Sequence, residues 1–172
     1  MKRLAVFLAI IAASVTLVTA GGQSIDARLK QLFPTATAFS PKEGDPPHFT
    51  AYTDGRGAQT TIGYAFWTTE LLPLERGYGG PIAMLIGLDM TGRLTGVIMG
   101  EHHEPYGDFS IDPPQFVAQF RGKDVRDPFK LGDDIDAVSR ATITMSSAVR
   151  IIRNSSRRMA RQFLTAPPPP SR

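Results

Sequence analysis

Ile82-Ala83-Met84-Leu85-Ile86-Gly87-Leu88-Asp89, then Met90-Thr91-Gly92-Arg93, then Leu94-Thr95-Gly96-Val97-Ile98-Met99-Gly100-Glu101, is the stretch from which the fold is read. Two apolar runs of strand length flank four residues that contain a glycine. This pattern predicts a β-hairpin, because the short polar connection reverses the chain and lets the runs pair. Gly87, Gly96 and Gly100 lie inside the predicted strands. Glycine weakens a strand, so each is expected to mark a bulge or the close approach of another group.

Upstream, Thr60 to Thr68 has the composition of a further strand, with Ile62, Tyr64, Phe66 and Trp67. Residues 40–57 are rich in Pro, Gly and Asp and predict a loop or irregular strand. Ser24 through Leu32 reads as a short helix capped by Ser24 or Asp26 and ended by Pro34. Downstream, Asp112-Pro113-Pro114 opens a predicted helix through Phe120, with Asp112 as N-cap and proline in the first turn. A charged connector follows over 121–134. The last predicted helix runs from about Thr144 to Leu164, with Met145, Val149, Ile152 and Met159 or Phe163 on one stripe. Arg150, Arg153, Arg157, Arg158 and Arg161 read as its solvated face. Helices interleaved with a hairpin predict an α+β domain: an antiparallel sheet with flanking helices. The expected organisation is a leader over 1–20, an N-terminal helix and strand region over 21–74, a core over 75–164 and a disordered Pro-rich tail over 165–172.

The leader rests on Lys2 and Arg3, the apolar run Leu4 to Ala20, and the small-residue exit Val18-Thr19-Ala20. That order is the pattern of a secretory signal peptide cleaved after Ala20. An uncleaved membrane anchor is the alternative, since the run approaches the length of a membrane span. In either case the rest of the chain lies outside the cytoplasm, periplasmic or at the outer face of the membrane. The whole chain has 19 Lys+Arg against 16 Asp+Glu. Removing Lys2 and Arg3 nearly balances the two, so the charge does not indicate a nucleic-acid binder. Apolar content of 42% with 20% charged residues fits a globular domain. The absence of cysteine excludes thiol nucleophiles and cysteine-ligated iron–sulfur clusters.

Asp136-Ala137-Val138-Ser139-Arg140-Ala141-Thr142-Ile143-Thr144 leads into the final helix. Unpaired N–H groups and the helix dipole favour an anion at such a start, and a phosphate fits. Ser139, Thr142, Thr144, Ser146 and Ser147 can add donors, and Arg140 a positive charge. The same residue types also make an ordinary capped helix start.

Asp136-x-x-Ser139-x-Ala141-Thr142 resembles the flavinylation motif of the FMN-binding domain family, D-x-x-[ST]-G-A-T. That family includes the C subunit of the sodium-pumping NADH:quinone oxidoreductase. Gly77-Tyr78-Gly79-Gly80-Pro81 and Glu101-His102-His103-Glu104-Pro105 resemble it too, and are most similar to the periplasmic domain of the nitrous-oxide-reductase regulator type. The resemblance covers about residues 75 to 160. It implies FMN attached covalently through its phosphate to Thr142, placed there by a flavin transferase that uses FAD. It implies Ser139, Ala141, Thr144 and Asp136 as supporting positions. Tyr78, Gly79, His102, His103 and Glu104 are then expected along the flavin ring. The implied work is extracytoplasmic electron transfer with a membrane or periplasmic partner, rather than conversion of a substrate. The alternative is a redox-sensing or maturation accessory without turnover of its own. Arg140 departs from the motif's glycine. Glycine permits a positive φ that arginine disfavours. Arg140 therefore either hinders the transferase or pairs with the FMN phosphate; if modification is prevented, the chain is a flavin-free binding module.

Other chemistry has less support. His102 and His103 as strand neighbours point to opposite faces, so they do not readily share a metal ion. Ser139 lacks an evident His/Asp arrangement for a hydrolase. Tyr78 and Trp67 can stack on a flavin or serve the core.

Overall fold

The computed structural model describes residues 23–55 and 57–164. The expected leader over 1–20 and the tail over 165–172 lie outside them. Strands β1 (Ala38–Phe39), β2 (Phe49–Gly55), β3 (Ala58–Trp67), β4 (Met84–Asp89) and β5 (Leu94–Met99) form one antiparallel sheet in the order β1-β2-β3-β4-β5. Helix α1 (Ile25–Leu32) packs on one face. Helix α4 (Thr142–Phe163) crosses the other, beside the short helices α2 (Gly107–Ser110) and α3 (Pro114–Ala118). The architecture is α+β, as the interleaved pattern predicts.

The predicted hairpin is β4–β5, with Ile86 opposite Val97 and Gly87 opposite Gly96. Strand β4 is buried on both faces, which is why it reads as an unbroken apolar run. Met84, Ile86 and Leu88 join the α4 side of the core, while Leu85 joins Leu29, Leu32 and Phe33 on the α1 side. That alternation is the two-residue period of a strand. The register shifts between Gly87 and Leu88, so Gly87 does mark an irregularity. The edge of β5 is partly covered: Leu94 N–H donates to the Lys123 carbonyl at 2.9 Å, and Gly122 N–H to the Leu94 carbonyl at 2.7 Å.

Helix α4 buries Met145, Ala148, Val149, Ile152 and Met159, a stripe at helical spacing against the sheet. It begins at Thr142, two residues before the expected start. The Ala141 carbonyl already accepts Met145 N–H at 2.9 Å, so the first helical turn closes there. Ser24 caps α1 by accepting Ala27 N–H at 3.3 Å.

Two expectations are corrected, and one pair of alternatives is decided. Asp112 does not cap α3, which starts at Pro114 after Pro113 without a side-chain cap. Pro114 lacks the N–H that such a cap would engage, and the Asp112 carboxylate instead takes His102 Nε2 at 2.7 Å. Residues 49–55, inside the stretch expected as a loop or irregular strand, form a paired strand with a register shift between Ala51 and Tyr52, and Phe49 and Ala51 reach the α1 side of the core. The α4 arginines are not simply a solvated face. Arg157 donates to the Val125 and Asp127 carbonyls at 2.8 Å each, and Arg150 to Glu75 and the Arg76 carbonyl. Long guanidinium side chains here tie distant loops onto the helix.

Candidate functional site

Arg140 has φ of +71°, immediately before α4. It thus holds the left-handed conformation that the motif's glycine would adopt without strain. Ala141 follows as the N-cap residue and is buried. Thr142, the first residue of the helix, is exposed, and its side chain makes no hydrogen bond to any described residue.

Thr144 is the opposite case. It is 2% exposed, and its hydroxyl donates to Glu104 Oε2 at 2.9 Å. Glu104 is itself 6% exposed, and its Oε1 accepts Gly79 N–H at 2.8 Å. One buried carboxylate therefore joins the 77–80 loop, the 101–106 segment and the first turn of α4. Such a group is tolerated inside because both oxygens are engaged. The close approach requires small residues: a Cβ at Gly77 would overlap Glu104 Oε1, and one at Gly79 the His103 carbonyl oxygen. Arg150 Nη1 secures the same loop through Glu75 Oε2 at 2.6 Å.

His102 supports this arrangement from behind. Its Nδ1 accepts Glu104 N–H at 3.3 Å, so Nε2 carries the proton given to Asp112 Oδ1. The structure thus brings Gly79, His102, Glu104 and Thr144 into one packed unit. Tyr78, 74% exposed, and His103 stand outside it. Asp136, Ser139 and Arg140 form an exposed run into the helix, anchored where Asp136 N–H donates to Gln119 Oε1 at 2.7 Å.

On its other side Thr142 opens onto a groove of about 640 Å³ between α4 and residues 129–131. Phe129 and Val149 line its apolar floor, and Lys130, Ser146, Arg150 and Arg153 its polar rim. Phe129 also has a positive φ, +51°. Asp134 holds that turn by accepting Phe129 N–H at 3.1 Å and Lys130 N–H at 2.6 Å, with Lys123 Nζ at 3.0 Å. Burial pushes the Asp134 carboxyl upward. The Lys130 amide, the Lys123 ammonium and the Phe129 amide outweigh it, so the carboxyl lies below its ordinary range.

Sequence reasoning missed Phe129, Lys130 and Arg153. The helical spacing of Thr142, Ser146 and Arg150 hinted at one wall. Nothing in the connector indicated that Phe129 and Lys130 form the other.

A phosphoester on threonine needs an accessible, unengaged hydroxyl, and Thr142 supplies one. A flat aromatic ring needs an apolar surface edged by donors, and the adjoining groove supplies that. The residues present therefore fit FMN. No curated protein matches the chain. Residues 77–156, a segment that holds every candidate residue above, match the family model described as the FMN-binding domain.

Proposed function

We propose that this protein is an exported electron-transfer flavoprotein carrying FMN as a phosphoester on Thr142. The observation that carries the reading is the contrast between two threonines. Thr142 is exposed and makes no hydrogen bond to any described residue, while Thr144 is buried and committed to Glu104. The FMN-binding domain match supports the cofactor. The Lys2-Arg3 start and the Leu4 to Ala20 run support export.

In the attachment step, Thr142 Oγ1 displaces AMP from the FMN phosphorus of FAD. One P–O bond forms, the pyrophosphate P–O bond breaks, AMP leaves and the hydroxyl proton is lost. A flavin transferase supplies the catalysis. This chain supplies the acceptor, fixed by the Arg140 turn and by the Glu104–Thr144 bond one position inside it. The first-turn N–H groups and Arg140 favour the phosphate charge. Bound FMN supplies one- or two-electron chemistry, exchanged with a membrane or periplasmic partner.

The test is co-expression with a flavin transferase and export. A mass gain of one FMN minus water is expected, mapped to the Thr142 peptide, on a chain beginning at Gly21. Label on Thr144 or Ser139, or full labelling of Thr142→Val, refutes the acceptor. A chain retaining residues 1–20 in the membrane replaces the cleaved leader with an anchor.

A further inference from the structure

We infer that a second groove, between the β4–β5 turn and the last turns of α4, binds a phosphate group carrying an apolar chain, as in a lipid head group. Arg157 and Arg126 would hold the phosphate.

This groove measures about 530 Å³. Small-molecule sites commonly measure about 300–1,000 Å³. It lies far from the start of α4. Arg157 is 15 residues beyond Thr142 on the same helix, about 22 Å at a rise of about 1.5 Å per residue.

The guanidinium groups of Arg126, Arg157 and Arg161 and the carboxylate of Asp124 line the groove. The carboxylate is already matched: Asp124 takes Arg126 Nε at 2.7 Å and Nη2 at 2.6 Å. Arg157 has no such counter-charge. Its Nε and Nη2 donate to the neutral carbonyls of Val125 and Asp127, at 2.8 Å each. The Asp127 carboxylate instead accepts the Asp124 N–H at 2.9 Å. Arg157 Nη1 has no hydrogen bond to any described residue and is not buried. Arg157 is thus a half-buried cation, fixed by neutral acceptors, with two N–H groups left to give. Tying the 125–127 turn to α4 accounts for its two bonds but not for its charge, since a neutral donor would desolvate at lower cost. Arg126 Nη1 is likewise uncommitted. Guanidinium groups fixed by other bonds lose little freedom on gripping an oxyanion.

The second observation is apolar. Val125, Ala160 and Leu164 line the same groove, and Met90 stands exposed at the hairpin turn. A bare phosphate would leave this surface in water, whereas a phosphate bearing a hydrocarbon chain covers it.

Titration of the purified protein, followed by amide and arginine Nε–H chemical shifts, tests the inference. The probes are dihexanoyl phosphatidylglycerol and dihexanoyl phosphatidylcholine, both kept monomeric, and inorganic phosphate. Phosphatidylglycerol should shift Gly92, Val125 and the Nε–H signals of Arg126 and Arg157 saturably. Its affinity should exceed several-fold that of inorganic phosphate, which lacks the chain, and of phosphatidylcholine, whose ammonium the arginines repel. Arg157→Gln removes the charge and should weaken phosphatidylglycerol several-fold. Because Arg157 also holds the 125–127 turn, Met90→Glu is the second variant. It places a carboxylate at the exposed rim, and should weaken phosphatidylglycerol several-fold with the urea midpoint unchanged. Thr142→Val should bind as the unsubstituted chain does. Absence of a saturable shift with phosphatidylglycerol overturns the site, and so do shifts that survive both variants. Inorganic phosphate binding as tightly overturns the role of the chain, and phosphatidylcholine binding as tightly overturns that of the arginines.

Discussion

Glu104 Oε2 accepts the Thr144 hydroxyl at 2.9 Å, and this bond separates two threonines only two positions apart on one helical turn. Thr144 is a structural donor, and Thr142 carries the hydroxyl of the proposed acceptor. Thr142→Val should therefore change stability by no more than about 0.5 kcal/mol, as at other exposed positions, while abolishing the flavin label. Thr144→Val leaves a buried carboxylate oxygen without its donor and should cost about 1–3 kcal/mol, with label retained. Chemical denaturation and intact mass on the two variants check this.

Glu104 itself should tolerate one substitution and not another. Glu104→Gln can keep its amide oxygen on Gly79 N–H and turn its NH₂ toward Thr144, whose hydroxyl then accepts. Glu104→Ala strands both partners and opens a space between the loop and α4, so a loss of about 2 kcal/mol or more is expected. Thermal unfolding of the pair decides it. Equal losses in both would mean that the carboxylate charge, rather than the hydrogen-bond pattern, is what the site requires.

The hairpin was legible because β4 and β5 concentrate apolar residues in two runs around Gly92, and helix α4 because its core stripe follows helical spacing. Thr142 came from a resemblance carried by Asp136, Ser139 and Ala141. Lys130 and Phe129 were not legible. They reach the site through a connector whose path depends on long-range ties: Arg157 to Val125 and Asp127, and Asp134 to the 129–130 amides. The Asp112 cap failed for a similar reason. Local sequence showed an N-cap residue before proline, and the His102 ring ten positions away took the carboxylate.

Arg140 resolves part of its own question. The sequence left open whether arginine abolishes the turn that glycine permits. The turn is kept, at φ of +71°. A side chain in the left-handed region costs about 1–2 kcal/mol. Arg140→Gly should therefore stabilise the chain by about 1 kcal/mol, with labelling of Thr142 preserved. Arg140→Pro fixes φ near −65° and should remove the label by destroying the turn. Denaturation midpoints and labelling kinetics of the two variants check this. Efficient labelling of Arg140→Pro would show that the acceptor does not depend on the left-handed turn.

Acid should loosen the 129–134 turn that walls the groove. The Asp134 carboxyl is lowered: burial raises it, and the Lys130 amide, Lys123 and the Phe129 amide together outweigh that. A carboxyl with a lowered folded-state value contributes stability above its unfolded value, about 3.9. The contribution is lost as pH falls through the lower folded value. Asp124 acts in the same direction, held down by its side-chain bond to Arg126. Urea midpoints should thus be nearly flat from pH 7 to pH 5 as far as these groups are concerned, then fall below pH 4. Asp134→Asn keeps an acceptor for one amide but removes the titrating charge and its pair with Lys123. It should lower the midpoint at pH 6 and make the acid limb shallower. If Asp134→Asn falls as steeply below pH 4 as the unsubstituted chain, the acid response comes from other carboxylates.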